Sequence, residues 1–197
     1  MGAAKYITKT FQNEWKGKED KDYDYKSLMK SRTIDFRASE EAIVRLQKPT
    51  NIISARQVGY KAKQGVFAAR VRVRKGHGTF HRPKNKRRPK RQGQTKLTRR
   101  KSTQAMAEEK ASRKFANCEA IGSYKIAEDG KWHYFEVILV DRAHPSIVAD
   151  KELWFVVTQK GRAERGKNYA GAVNKDWNHR TKMKSKYKKS IKNNTAK

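Results

Sequence analysis

CEAIGSYKIAEDGKWHYFEVILVD, residues 118–141, is the stretch that decides the fold. Glu128-Asp129-Gly130 is a turn signal, and both of its flanks are rich in β-branched and aromatic residues, so the stretch predicts a β-hairpin. Its second half, Tyr134 to Val140, is apolar enough to lie in the middle of a sheet. Immediately upstream, Ser102 or Thr103 can cap a helix running to about Asn117. Glu108 and Glu109 lie early in that helix, and Arg113 and Lys114 suit its C-terminal dipole. Downstream, Ala143 to Val148 reads as a short helix and Leu153 to Val157 as a further strand.

Further upstream, VFAARVRVR at 66–74 alternates. Successive strand side chains point to opposite faces, so Phe67, Ala69, Val71 and Val73 share one side and Ala68, Arg70, Arg72 and Arg74 the other. The apolar side can pack on a core, while the three arginines stand about 7 Å apart in a row. A row of arginines rather than lysines favours phosphate, because the guanidinium fork binds two oxygens at once. The competing reading is an edge strand whose charges discourage aggregation. Nearer the N-terminus, Tyr6, Ile7, Phe11 and Trp15 recur at spacings that suit one face of a helix ending near Gly17. The segment Lys16 to Lys26 is turn-like. A second helix falls somewhere within Leu28 to Leu46, and Pro49 stops what precedes it.

Charge divides the chain. It carries 49 Lys and Arg against 19 Asp and Glu, a formal net charge of +30 in 197 residues. Between Glu41 and Glu108 there are 20 bases and no acid. From Ala105 to Lys160 there are 9 acids and 8 bases, so this stretch is nearly neutral and can fold as a body. From Arg165 to Lys197 there are 11 bases and the single acid Asp176. A body with such flanks repels itself unless a polyanion neutralises it. Residues 76–101 hold Pro83 and Pro89, little apolar content and no helical period. They read as an extended arm, disordered alone and ordered against RNA; a nuclear-localisation cluster would have a similar composition. The division expected is one body over 1–164, including the arm 76–101, and a basic extension over 165–197.

Residue chemistry points away from catalysis. Cys118 is the lone cysteine, which leaves no intrachain disulfide and fits a reducing compartment. His77 and His81 are four apart, but Gly76 and Gly78 oppose a helix there and no further ligand lies near, so no metal is expected. No pair of acids stands out as a general acid and base. No phosphate-binding loop is present, and GKNYAG lacks the strand and helix such a loop needs. No apolar run approaches a membrane span, and MGAAKYITKTF lacks the apolar stretch of a signal peptide, so a cytoplasmic location is expected.

Several of these segments resemble the archaeal and eukaryotic large-subunit ribosomal protein family L15-e. The resemblance rests on Met1, Gly2, Ala3, Lys5 and Tyr6 at the start. It continues through Lys48-Pro49 and ARQVGYKAKQG to RVRVRKG, then AEEKASRKFAN, then SYKIAEDGKWHYFEVILVD followed by His144-Pro145. Near the C-terminus the family's Thr-Ser-Ala-Gly motif follows an Arg-Gly; here Arg165-Gly166 leads to Lys167, Asn168, Tyr169, Ala170 and Gly171, which keeps the Ala-Gly pair alone. The resemblance implies an archaeal-type α+β protein with a small mixed or antiparallel sheet, packed helices, extended basic arms and a C-terminal tail. It implies a structural, non-catalytic role in binding large-subunit ribosomal RNA beside neighbouring large-subunit proteins, with no cofactor, small-molecule substrate or membrane partner.

The candidate RNA-binding residues are Lys61, Lys63, Arg70, Arg72, Arg74 and Lys75 on and before the strand. In the arm they are His77, His81, Arg82, Lys84, Lys86, Arg87, Arg88, Lys90, Arg91, Lys96, Arg99 and Arg100. Arg165 and Lys167 stand at the start of the tail. Tyr60, Phe80, Tyr169, Trp177 and Tyr187 are candidates for stacking on unpaired bases, with packing against the body as the competing role. Two other classes remain open at this point: a DNA-compacting chromatin-type polycation and an RNA-modifying enzyme. The absence of a recognition helix argues against the first, and the missing catalytic constellation against the second.

Overall fold

In the computed structural model, residues 3–16, 19–20, 23–79, 86–93 and 98–173 are described, and the structural statements below concern these. Helix α1 (Ala3–Lys16) is followed by two short paired strands, β1 (Glu19–Asp20) and β2 (Tyr23–Asp24), then α2 (Tyr25–Ala38). Asp24 starts α2: its carboxylate accepts the backbone N–H groups of Lys26 and Ser27, two of the donors a helix leaves unpaired at its first turn. Strand β3 (Ile43–Leu46), helix α3 (Ile52–Gln57, capped by Asn51) and strand β4 (Val66–Arg74) come next. After the arm, α4 (Thr103–Lys114) is capped by Ser102, whose hydroxyl accepts from Ala105 N–H at 3.2 Å. Strands β5 (Cys118–Glu128) and β6 (Trp132–Asp141) form the hairpin, and α5 (Pro145–Val148) and α6 (Trp154–Thr158) close the body.

Four strands make one open antiparallel sheet in the order β3-β4-β6-β5. The turn at 128–131 is held by Asp129, which accepts from the N–H groups of Lys131 and Trp132 and from the Tyr134 hydroxyl. Strand β6 runs between β4 and β5, and every residue from Tyr134 to Val140 is buried. Such a run requires cover on both faces of the sheet, because its side chains alternate between them. On one face, Ala69, Val71, Val73, Phe135, Val137 and Leu139 pack beneath Ala107 and Ala111 of α4. On the other, Val66, Ala68, Ile138 and Val140 meet Ala55 of α3, Ile147 of α5, and Leu153 and Val156. Farther along that second face, Phe36 of α2 packs with Tyr134 and Ala127.

Leu153–Val157, expected as a strand, is instead the one-turn helix α6. Leu153 and Val156 are the two buried positions, three residues apart, while Trp154 between them is 55% exposed. A strand would have grouped Leu153 with Phe155 and Val157; helical spacing places the buried pair together on the sheet, and packing overrides the β-propensity of the two valines. Strand β3 was not foreseen within Leu28–Leu46. Its four residues are too few for a pattern, and their register with Ala68–Val71 makes the strand.

Candidate nucleic-acid interface

The arginine row on β4 does not face open solvent along its length, because α2 lies across that side of the sheet. Arg70 stands in register with Glu136 of β6, its guanidinium lies 4.2 Å from the centre of the Phe36 ring, and burial holds its pKa below the ordinary value. Glu136 is fully buried and accepts from the Thr50 N–H, the Thr50 hydroxyl and the Tyr124 hydroxyl. Arg72 donates to the carbonyls of Ser39 at 2.8 Å and Glu40 at 2.6 Å, and lies over the Trp132 ring. Only Arg74, at the end of the strand, is exposed. The alternation identified which side chains share a face; the helix covering that face is contributed by residues more than thirty positions upstream. Arg70 and Arg72 therefore tie α2 and its following turn to the sheet, a structural role that the charge pattern alone does not display.

Beyond Arg74 the chain turns at Gly76, whose φ of +94° suits glycine. The start and the end of the arm meet here and frame a cleft of about 1000 Å³. Its cations are Arg74, Lys75, Arg99, Arg100 and Lys101, with Glu109 as the one acid. Arg99 fastens the two ends: its guanidinium donates to the carbonyl of Lys75 at 3.3 Å and approaches the Met106 sulfur at 3.6 Å. Glu109 is engaged with Lys101 at 2.6 Å and Arg113 at 3.5 Å. Lys75 lies 3.4 Å from Glu128. Arg74, Arg100 and His77 are exposed at the rim. The result is a concave, strongly cationic mouth on a fixed base, a shape that lowers the ordering cost of binding a polyanion. Lys101 was missed by the sequence reading; its signal was its position inside the acid-free run.

The other expected cations are scattered. Lys61 is paired with Glu152, and Lys63 with Asp150 at 2.9 Å, at the opposite end of β4. The hydrogen bond that Lys61 donates to Glu152 raises the pKa of Lys61, and the one that Lys63 donates to Asp150 lowers the pKa of Asp150. Lys86, Arg87, Arg88, Lys90 and Arg91 are all exposed on a short segment with one 3₁₀ turn at Pro89–Arg91. His81, Arg82, Lys84 and Lys96 lie outside the described residues, as do Phe80, Trp177 and Tyr187. Tyr60 packs against the second-face core, whereas Tyr169 is 80% exposed.

Arg165 and Lys167 are exposed on a segment that is itself docked on the body. The buried carboxylate of Glu119 accepts the backbone N–H groups of Gly161 at 2.7 Å and Arg162 at 3.0 Å. Buried Glu108 accepts from the Ser123 hydroxyl at 2.6 Å and the Asn168 amide at 3.2 Å. Burial raises the pKa of Glu108. The retained Ala-Gly pair also has a packing reason. Ala170 is buried, and a Cβ on Gly171 would stand 2.5 Å from the Cα of Gly166.

Among the described residues, no three His, Cys, Asp or Glu side chains gather to hold a metal, and no helix is long and apolar enough to cross a membrane. Each buried carboxylate is committed to the hydrogen bonds given above. Burial pushes the Cys118 thiol up to about 11, which makes it a poor nucleophile.

The body is thus a small open sheet clad in helices, with a basic cleft at the root of a polycationic arm, and comparison with known proteins places it in the ribosomal-protein class. The chain matches the family Ribosomal L15 over residues 2–194. It is 42% identical to the large ribosomal subunit protein eL15 of Metallosphaera sedula over 161 residues, which is 82% of this chain and 73% of that protein. It is 44% identical to the large ribosomal subunit protein eL15 of Haloarcula marismortui over 161 residues, covering 81% of this chain and 82% of that one. The chain belongs to the ribosomal L15e family. Its relatives are proteins of the large ribosomal subunit and not enzymes.

Proposed function

We propose that this protein is a structural constituent of the large ribosomal subunit in the cytoplasm, binding and stabilising large-subunit ribosomal RNA. The observation that carries the reading is the cleft at the arm root, which among the described residues is lined by five cations and by one acid, Glu109, that is already paired. Phosphates entering it meet guanidinium and ammonium groups in place of condensed counterions, whose release favours binding. The arm 76–101 and the extension 165–197 continue this contact between RNA helices, and neighbouring large-subunit proteins are the other partners. The body over 1–164 supplies the fixed base, and no step of catalysis is involved.

A chromatin-type polycation would share the charge but not the preference for shaped RNA. The test is competition between a folded large-subunit ribosomal RNA fragment and duplex DNA of equal phosphate content, at fixed salt. Preference for the RNA by tenfold or more is expected; equal competition would favour the DNA-compacting alternative.

A further inference from the structure

A second depression, of about 730 Å³, lies at the end of β4 away from the basic cleft. Arg45, Gln64, Phe67, Phe115, Asn117 and Asp141 line it. Its chemistry differs from that of the arm root. Lys63 also borders it but is paired with Asp150, and Asp141 offsets Arg45, so the site is close to neutral. Phosphate attraction alone gives no reason for a carboxylate here, in a chain of net charge +30.

Three features point to a flat ligand with a hydrogen-bonding edge. Phe115 meets Phe67 edge-on, with ring centres 5.2 Å apart at 75°. The Arg45 guanidinium lies 4.5 Å from the centre of the Phe67 ring, while the residue as a whole is exposed. A guanidinium fixed over an aromatic ring is a stacking platform for a nucleobase. The amide side chains of Gln64 and Asn117 are exposed at the rim. Asp141 has one carboxylate oxygen, Oδ1, fixed by the Ala143 N–H at 3.0 Å, which orients the group. Among the four bases, guanine presents two adjacent N–H donors on its Watson–Crick edge, the pattern that a carboxylate accepts.

We propose that this depression is a subsite for an unpaired guanine of RNA, stacked on Arg45 and read at its Watson–Crick edge by Asp141, with Gln64 and Asn117 beside it. The proposal rests on the RNA-binding reading above and adds base recognition to it. A phosphate-binding arm positions the protein; a base pocket at the far end of the same strand fixes which single-stranded loop it accepts.

The experiment titrates the full chain with GMP, AMP, CMP, UMP and inorganic phosphate, following the backbone amide signals of Gly65, Phe67 and Asn117 by NMR. GMP should shift these signals at lower concentration than the other nucleotides, and phosphate should leave them in place. Arg45→Lys keeps the charge but removes the plane, and should weaken GMP binding about tenfold, within the range seen for loss of one base stack. Asp141→Asn retains an acceptor for Ala143 and should abolish the preference for GMP over AMP. Equal shifts with all four nucleotides and phosphate, or unchanged GMP affinity in Arg45→Lys, would overturn the proposal. Affinity of the same variants for the ribosomal RNA fragment is measured across salt. A retained salt dependence with no guanine preference rejects only the base pocket, whereas loss of RNA preference in the unaltered chain rejects the broader reading.

Discussion

Replacing Arg72 with glutamine should destabilise the fold, although Arg72 belongs to a row whose charge pattern suggests a purely ligand-binding role. The side chain donates to the Ser39 carbonyl in a partly buried setting and to the Glu40 carbonyl in an exposed one. A charged donor in the first setting is worth about 1.5 kcal/mol, and the exposed one about 0.5 kcal/mol. Stacking over Trp132 at 5.4 Å adds about 0.5 kcal/mol at a half-exposed site. Glutamine is too short to replace both bonds, so the loss should be about 2.5 kcal/mol. For a chain of this size that corresponds to a fall in Tm on the order of 5–10 °C. Arg74→Gln, at the exposed end of the same row, should change stability by less than about 0.5 kcal/mol. The assay is thermal unfolding followed by far-UV circular dichroism on both variants in one buffer. Melting temperatures within about 2 °C of each other would refute the division of the row into structural and exposed members.

Other consequences follow from the buried groups. Burial raises the pKa of Glu108, so its folded form favours the proton: its contribution is complete below the unfolded value near 4.5 and is lost as pH rises through the folded pKa. Glu108→Gln should therefore be more stable than the parent at neutral pH in urea titrations, with the difference closing below about pH 4.5; a difference independent of pH would contradict the assignment. Cys118, with its thiol at about 11, should react at pH 8 on the order of 100-fold more slowly than an ordinary thiol, and at an ordinary rate once denatured. Equal native and denatured rates with a thiol reagent would place the side chain in solvent. Gly171→Ala should cost about 1–3 kcal/mol, because the new methyl meets the Gly166 backbone at 2.5 Å, and should expose the segment after Gly161 to protease. Unchanged proteolysis would show that this approach is not required.

The hairpin was legible because its signals agree: β-rich flanks, a turn tripeptide, and a run of apolar residues whose length suits a strand covered on both faces. The helix before it was equally plain from Ser102 and the basic residues at its end. Leu153–Val157 misled because five residues cannot display a period, and the sheet surface beneath Leu153 and Val156 chose the helical one. The β4 arginines were assigned to the correct face, but alternation carries no information about what lies over a face. Phe36 and Trp132, which receive Arg70 and Arg72, are 34 and 60 residues away in sequence. Docking of the segment after Gly161 was hidden for the same reason. Glu108 and Asn168 meet across 60 residues, and neither announces the other. Arg45 was overlooked because its strand is four residues long and its aromatic partner belongs to the neighbouring strand. Charge bookkeeping, by contrast, located the arm-root cations apart from Lys101, since an acid-free run needs no three-dimensional information to be seen.

The central claim is that the arm-root cleft meets RNA phosphates through its exposed arginines. It is tested most directly by the salt dependence of affinity for a folded large-subunit ribosomal RNA fragment, measured for the parent chain and for the double variant Arg74→Gln, Arg100→Gln. Both side chains are exposed at the rim, so the variant should keep its circular dichroism and its melting temperature. Each phosphate contact contributes roughly 0.7 to 0.9 to the slope of log affinity against log salt, so the slope should become shallower by about 1.5. An unchanged slope in the folded double variant would mean that the cleft faces no phosphate.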